Sequence, residues 1–154
     1  GGNVRVFLKP AGESTVSGGK YTEIADFEEM TFLNSFQDLS TFIQTWKDKK
    51  KSEIGDAFKK NGPLVAKAFP GRAAIPIKML GLDSDLISGA YEKPDSKKIG
   101  HYIPGTRIPI LSDNNILQHH SKGSPIINLA WHIEDEIRKY MGRQGYAGQF
   151  INII

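Results

Sequence analysis

Leu64-Val65-Ala66-Lys67-Ala68-Phe69-Pro70-Gly71-Arg72-Ala73 decides the fold of this chain. Leu64 to Phe69 reads as a strand. Pro70-Gly71-Arg72 reads as a turn, and Ala73 to Leu80 as a short helix. A strand buried on both faces shows a near-continuous apolar run, and a strand–turn–helix order is the start of a parallel crossover. The same alternation repeats downstream. Leu86–Tyr91, Arg107–Leu111, Pro125–Ala130 and Gln149–Ile154 read as further strands. Asn115 to His120 reads as a helical turn. Ile133, Ile137, Tyr140 and Met141 mark a helix ended by Gly142 or Gly145. The pattern predicts an α/β fold: a small Rossmann-like three-layer sandwich with a mostly parallel sheet.

Upstream, Phe32, Phe36, Leu39, Ile43 and Trp46 follow one another at spacings of 4, 3, 4 and 3, which marks one face of a long helix. Asp26 with Glu29 resembles a capping box at its start, and Asn61-Gly62-Pro63 stops it. Lys47-Asp48-Lys49-Lys50-Lys51 lies inside the helix and reads as its solvated face. Before it, Ala11 to Lys20 is rich in Gly and Ser and reads as a connector. Val4, Val6 and Leu8 alternate as in a strand, and that strand reads as the last of a preceding domain. The expected division is therefore a leftover strand over 1–10, a connector over 11–25 and the Rossmann-like domain over 26–154.

The 154 residues suffice for one domain with a core. The formal charge of +3 is too small an excess to argue for nucleic acid, and it suits a phosphate-bearing small ligand or no ligand equally well. Without cysteine, the chain has no disulfide, thiolate catalysis or cysteine-ligated zinc. No apolar run approaches the ~20 residues of a membrane span, and no signal-peptide pattern is present. A cytoplasmic protein is the expectation, with no nucleic-acid or membrane partner.

In an open parallel sheet, ligands bind beyond the carboxyl ends of the strands, near the reversal in strand order. The loops to watch are Pro70–Ala74, Glu92–Lys98, Ser112–Asn115 and Trp131-His132. Gly71 lets backbone approach a ligand, Arg72 offers a bidentate phosphate contact, and the helix amino end at Ala73 favours an anion. A tight strand-to-helix turn is the alternative there. Glu92, at a strand end about 20 residues after Gly71, is placed for a ribose hydroxyl. The full G-x-G-x-x-G fingerprint is absent. The Pro104-Gly105-Thr106 turn holds His101, Tyr102, Thr106 and Arg107 together, as a site for an anionic or hydroxyl-rich ligand or as an ordinary loop before a strand. His132, beside Trp131, either lines the ligand cleft or caps the helix. No pair of histidines has metal-ligand spacing, and no nucleophile elbow is present. No catalytic residue is assigned.

Several blocks share one likeness: Gly1-Gly2-Asn3-Val4-Arg5-Val6, Phe69-Pro70-Gly71-Arg72-Ala73, Leu80-Gly81-Leu82 and Tyr91-Glu92-Lys93-Pro94. With them stand Ile99 to Ile110, Asn128 to Ile137 and Gly145-Tyr146-Ala147-Gly148-Gln149-Phe150. Together they resemble the carboxyl-terminal domain of the sugar C-methyltransferases, which act on nucleotide-linked deoxy-keto sugars. The resemblance implies a three-part enzyme. An amino-terminal domain holds zinc through cysteines, and a middle domain binds S-adenosylmethionine and carries the catalytic His and Glu. The last, Rossmann-like domain helps hold the sugar nucleotide. This chain is similar to that last part only, with Val4–Leu8 matching the closing strand of the middle domain, so no cofactor is expected in it. The implied partners are a nucleotide-linked sugar and the upstream methyltransferase domain. Gly71, Arg72 and Ala73 would face phosphate or ribose, and Glu92 a hydroxyl. His101, Tyr102 and Thr106 would shape the site, with Trp131 and His132 near the sugar. The departure from the family is Phe69-Pro70-Gly71-Arg72, where members carry small residues. A purely structural or dimerisation module and a nucleotide- or dinucleotide-binding oxidoreductase subunit are the alternatives.

Overall fold

A computed structural model describes Pro10, residues 19–121 and residues 123–154. The expected strand over Val4–Leu8 and most of the expected connector lie outside these residues. The first element is a helix, α1 (Gly19–Asn61). It begins well before Asp26, which lies inside it and does not cap it. Lys20 to Ala25 contain no helix breaker, so residues 19–25 are helical where a connector was expected. Gly62, at φ +75°, takes the left-handed conformation that ends the helix, and its N–H closes on Phe58 O at 2.7 Å.

Five strands follow α1, near the five runs read as strands. β1 (Leu64–Lys67), β2 (Ile87–Glu92), β3 (Ile110–Ser112), β4 (Ile126–Asn128) and β5 (Phe150–Asn152) form one sheet in the order β3-β2-β1-β4-β5. Every pairing is parallel. A 3-10 turn over Gly71–Ala73 leads into α2 (Ala74–Leu80). The other helices are α3 (Ile116–His119) and α4 (Glu134–Arg143). The five strands and the helices between them bear out the α/β reading.

The chain divides at Thr41/Phe42 into two compact units. In the second unit, strand alternation sends successive side chains into two cores. Leu64 and Ala66 of β1, Ile127 of β4 and Ile151 of β5 face Ile54 of α1 and Ile77 and Leu80 of α2. Val65, Ile126 and Phe150 face Ile116 of α3 and Ile137 and Met141 of α4. The sheet is thus sandwiched between helical layers. Trp46 Nε1 donates to Ile153 O at 3.1 Å and ties α1 to the segment after β5.

Along the amino-terminal half of α1 the apolar side chains are solvent-exposed. Phe32, Phe36 and Leu39, read as part of one helical face, are 63%, 62% and 51% exposed. Ile24, Phe27, Met30, Leu33, Phe36, Leu39 and Phe42 recur every third residue and are all exposed. At 3.6 residues per turn, a spacing of three drifts around the axis, so this row winds over the helix surface and does not form a single stripe. Thr22 to Trp46 contains five acidic residues and no Lys or Arg.

Candidate functional site at the carboxyl edge of the sheet

Because all strands run one way, their carboxyl ends share one edge, and each end carries a polar residue: Lys67, Glu92, Asp113 just after β3, Asn128 and Asn152. The chain leaves β1 for β2 on one side, and β4 lies on the other. The order therefore reverses between β1 and β4, where two diverging loops leave a crevice. Those loops are Ala68–Arg72 and Leu129–His132.

The first loop turns sharply. Ala68 has φ +62°, the left-handed region that an alanine occupies only when its surroundings hold it there. Its N–H donates to Tyr91 O at 2.9 Å. Phe69 N–H donates to Glu92 Oε1 at 2.9 Å, and Lys98 Nζ donates to Phe69 O at 2.6 Å and pairs with Glu92 Oε1 at 3.0 Å. Gly71 and Arg72 are then exposed at the rim, while Ala73 is buried in the core with its N–H on Pro70 O. The Arg72 guanidinium carbon lies 5.8 Å from the Trp131 ring centroid, a cation–π contact between the two loops. Trp131 and His132 meet edge to face, with ring centroids 5.6 Å apart. A hollow of about 350 Å³ adjoins them, lined by Trp131, His132 and the acidic first turn of α4.

Gly71, Arg72, Glu92, Trp131 and His132 thus gather at one edge of the sheet, with one Glu92 oxygen engaged by backbone. His101, Tyr102 and Thr106 sit elsewhere. Ile110 gives its own N–H and C=O to His101 O and Gly100 N, so residues 100–102 form a short antiparallel arm on the outer side of β3. That arm is three strand spacings from β1, roughly 14 Å. Thr106 Oγ1 donates to Ile103 O and accepts from Ile108 N–H within its own turn. Pro104 and Gly105 line an apolar hollow along α2 with Ala74, Ile75, Lys78 and Met79.

Sequence reasoning missed Lys67. It is 1% exposed at the end of the central strand, yet its Nζ donates to Asp113 Oδ2 at 2.6 Å and to Tyr91 O at 3.2 Å, and lies 5.0 Å from the Tyr140 ring centroid. Burial pushes its ammonium pKa down, against the opposing pull of Asp113. Burial, then Asp113, pushes the Tyr140 hydroxyl up. The available signal was a lone lysine in a run that otherwise reads as buried, which demands a counter-charge. On the other side of the edge, Asn128 Nδ2 donates to Asn152 Oδ1 at 2.9 Å, and Asn152 Nδ2 donates to Glu134 Oε2. Those amides are occupied in joining β4, β5 and α4. Among the described residues no helix is long and apolar enough to cross a membrane.

Fold and crevice together define a doubly wound α/β domain with an arginine and a tryptophan on the rim at the reversal of strand order. The chain belongs to the C-methyltransferase C-terminal domain family, which matches it over residues 1–154. No curated relative matches it.

Proposed function

We propose that this domain holds a nucleotide-linked sugar for an S-adenosylmethionine-dependent C-methyltransferase whose methyltransferase domain lies upstream in the same polypeptide. The observation that carries the reading is the cation–π contact of Arg72 with Trp131 across the β1/β4 crevice. A guanidinium placed over a ring can turn its N–H edge to two diphosphate oxygens, and an indole offers a flat face to a base or sugar ring. Gly71, with no atom within 4 Å of where a Cβ would stand, leaves backbone open beside them. His132 and the free edge of Glu92 supply hydroxyl-directed contacts. Membership of the family supports the methyltransferase context.

Arg72 offers its charge to an anion at the rim, while Lys98 is paired with Glu92 and the α4 side of the crevice is acidic. The methyl donor is assigned to another domain. That donor, when bound there, supplies the methyl group to a carbon made nucleophilic by proton loss next to a ketone. This domain's part is to hold and orient the sugar nucleotide. Zinc does not fit here either: the chain has no cysteine, and among the described residues no three His, Asp or Glu side chains gather to hold a metal. Docking onto the upstream domain is supported by the exposed apolar row on α1 from Ile24 to Phe42.

Calorimetry with thymidine, uridine and guanosine diphosphates tests the proposal. One of them binds, and R72A weakens it by roughly 10- to 100-fold, as expected for a charged hydrogen bond worth about 1.5–3 kcal/mol. W131A weakens it by a smaller factor. If no diphosphate binds, the domain is a structural module. Fluorescence titration with reduced nicotinamide tests the oxidoreductase alternative in the same way.

A further inference from the structure

We propose, resting on the binding role above, that Glu92 and Lys98 are positioning residues: an ion-paired clamp that holds the strained turn at Ala68-Phe69 and so sets Arg72 against Trp131. Three successive backbone groups leaving β1 are each caught by the end of β2 or the segment after it. Ala68 N–H goes to Tyr91 O, Phe69 N–H to Glu92 Oε1 and Phe69 O to Lys98 Nζ. Phe69 is 5% exposed, so water cannot readily replace these partners. Lys98 also lies over the Phe69 ring, 5.8 Å from its centroid. Between these hooks Ala68 is held at φ +62°. An alanine released from them returns to negative φ, which swings the following residues and withdraws Arg72, four positions on, from the indole. Glu92 Oε1 receives both the Phe69 N–H and the ammonium, so loss of Lys98 also loosens Glu92.

A role limited to satisfying the Phe69 backbone would change stability alone. The clamp makes a further demand: glycine at position 68, which adopts positive φ without strain, compensates for its loss. The experiment compares the wild-type chain with K98M, R72A and A68G/K98M by amide hydrogen exchange, the Trp131 indole resonance and diphosphate calorimetry. K98M is expected to speed exchange at the Phe69 amide about tenfold and to weaken diphosphate binding about tenfold, the size of one lost charged hydrogen bond. Its Trp131 resonance moves toward that of R72A, and A68G/K98M returns it toward wild type. An unchanged Trp131 resonance in K98M overturns the proposal, and so does a displaced one that A68G leaves uncorrected. Unchanged diphosphate affinity in a K98M protein whose loop has loosened overturns it too. Should the wild type bind no diphosphate, the binding role fails, and exchange at Phe69 with the Trp131 resonance still decides whether the clamp sets the loop.

Discussion

Gly148 leaves no room for a side chain. A Cβ there would lie 2.6 Å from Tyr146 Oη and 2.7 Å from Cζ. Tyr146 cannot step aside, because it is 6% exposed, packs edge to face on Phe150 and holds its hydroxyl 2.7 Å from Gln149 O and 2.9 Å from Ser124 O, with one proton to share between them. Burial pushes that hydroxyl up to about 12. G148A is therefore expected to cost about 1–3 kcal/mol, the usual range for overpacking a filled site, and a denaturant midpoint measures it. At this scale the sequence was read unevenly. Arg72 and Trp131 were legible because each stands just after a strand, where a parallel sheet opens. Lys67 was not, because an apolar run conceals a single charge whose partner, Asp113, lies 46 positions away. Glu92 was found by its place at a strand end, but its hold on Phe69 N–H depends on a turn at Ala68 that no residue type announces.

β1, the turn after β3 and α4 are joined through the Lys67–Asp113 pair beside Tyr140. K67M leaves the Asp113 carboxylate buried without its counter-ion, and a loss of about 3–5 kcal/mol is expected. K67M/D113L removes both charges and is expected to recover most of it, as urea unfolding would show. The pH dependence has a definite sign. Lys67 has a lower pKa folded than its ordinary 10.5, so in the interval between the two the unfolded chain binds more protons. Wild-type stability therefore rises with pH through that interval relative to K67M. The comparison belongs below pH 10, because Tyr91, Tyr140 and Tyr146 are all raised above 10.0 and favour the folded state less as they ionise. From Leu64 onward the element types were legible from periodicity. Element limits were less so: α1 starts at Gly19, because Asp26 and Glu29 can cap a helix only where the chain before them is not already helical.

At the scale of the whole molecule, α1 combines an acidic surface with an exposed apolar row. F27S/L33S/F36S is expected to weaken binding to a separately produced methyltransferase domain in a titration while moving the unfolding midpoint by no more than about 3 °C, since exposed side chains contribute little to folding. The sequence pattern marked this helix as amphipathic but could not say what covers it, because periodicity shows which residues are apolar and not what they meet. The sheet order carries a different consequence, for how the chain is made. Val65 in the central strand pairs with Ile126, 61 positions later, and even the closest pairs between the five strands, such as Ala90 with Ile110, are 20 apart. Among the described residues the small antiparallel arm that pairs Tyr102 with Pro109 is local, but it lies outside β1 and its partners. At about 5–20 residues per second, the middle strand waits roughly 3–12 s with one flank bare, which makes the nascent chain a client for chaperones until β4 emerges.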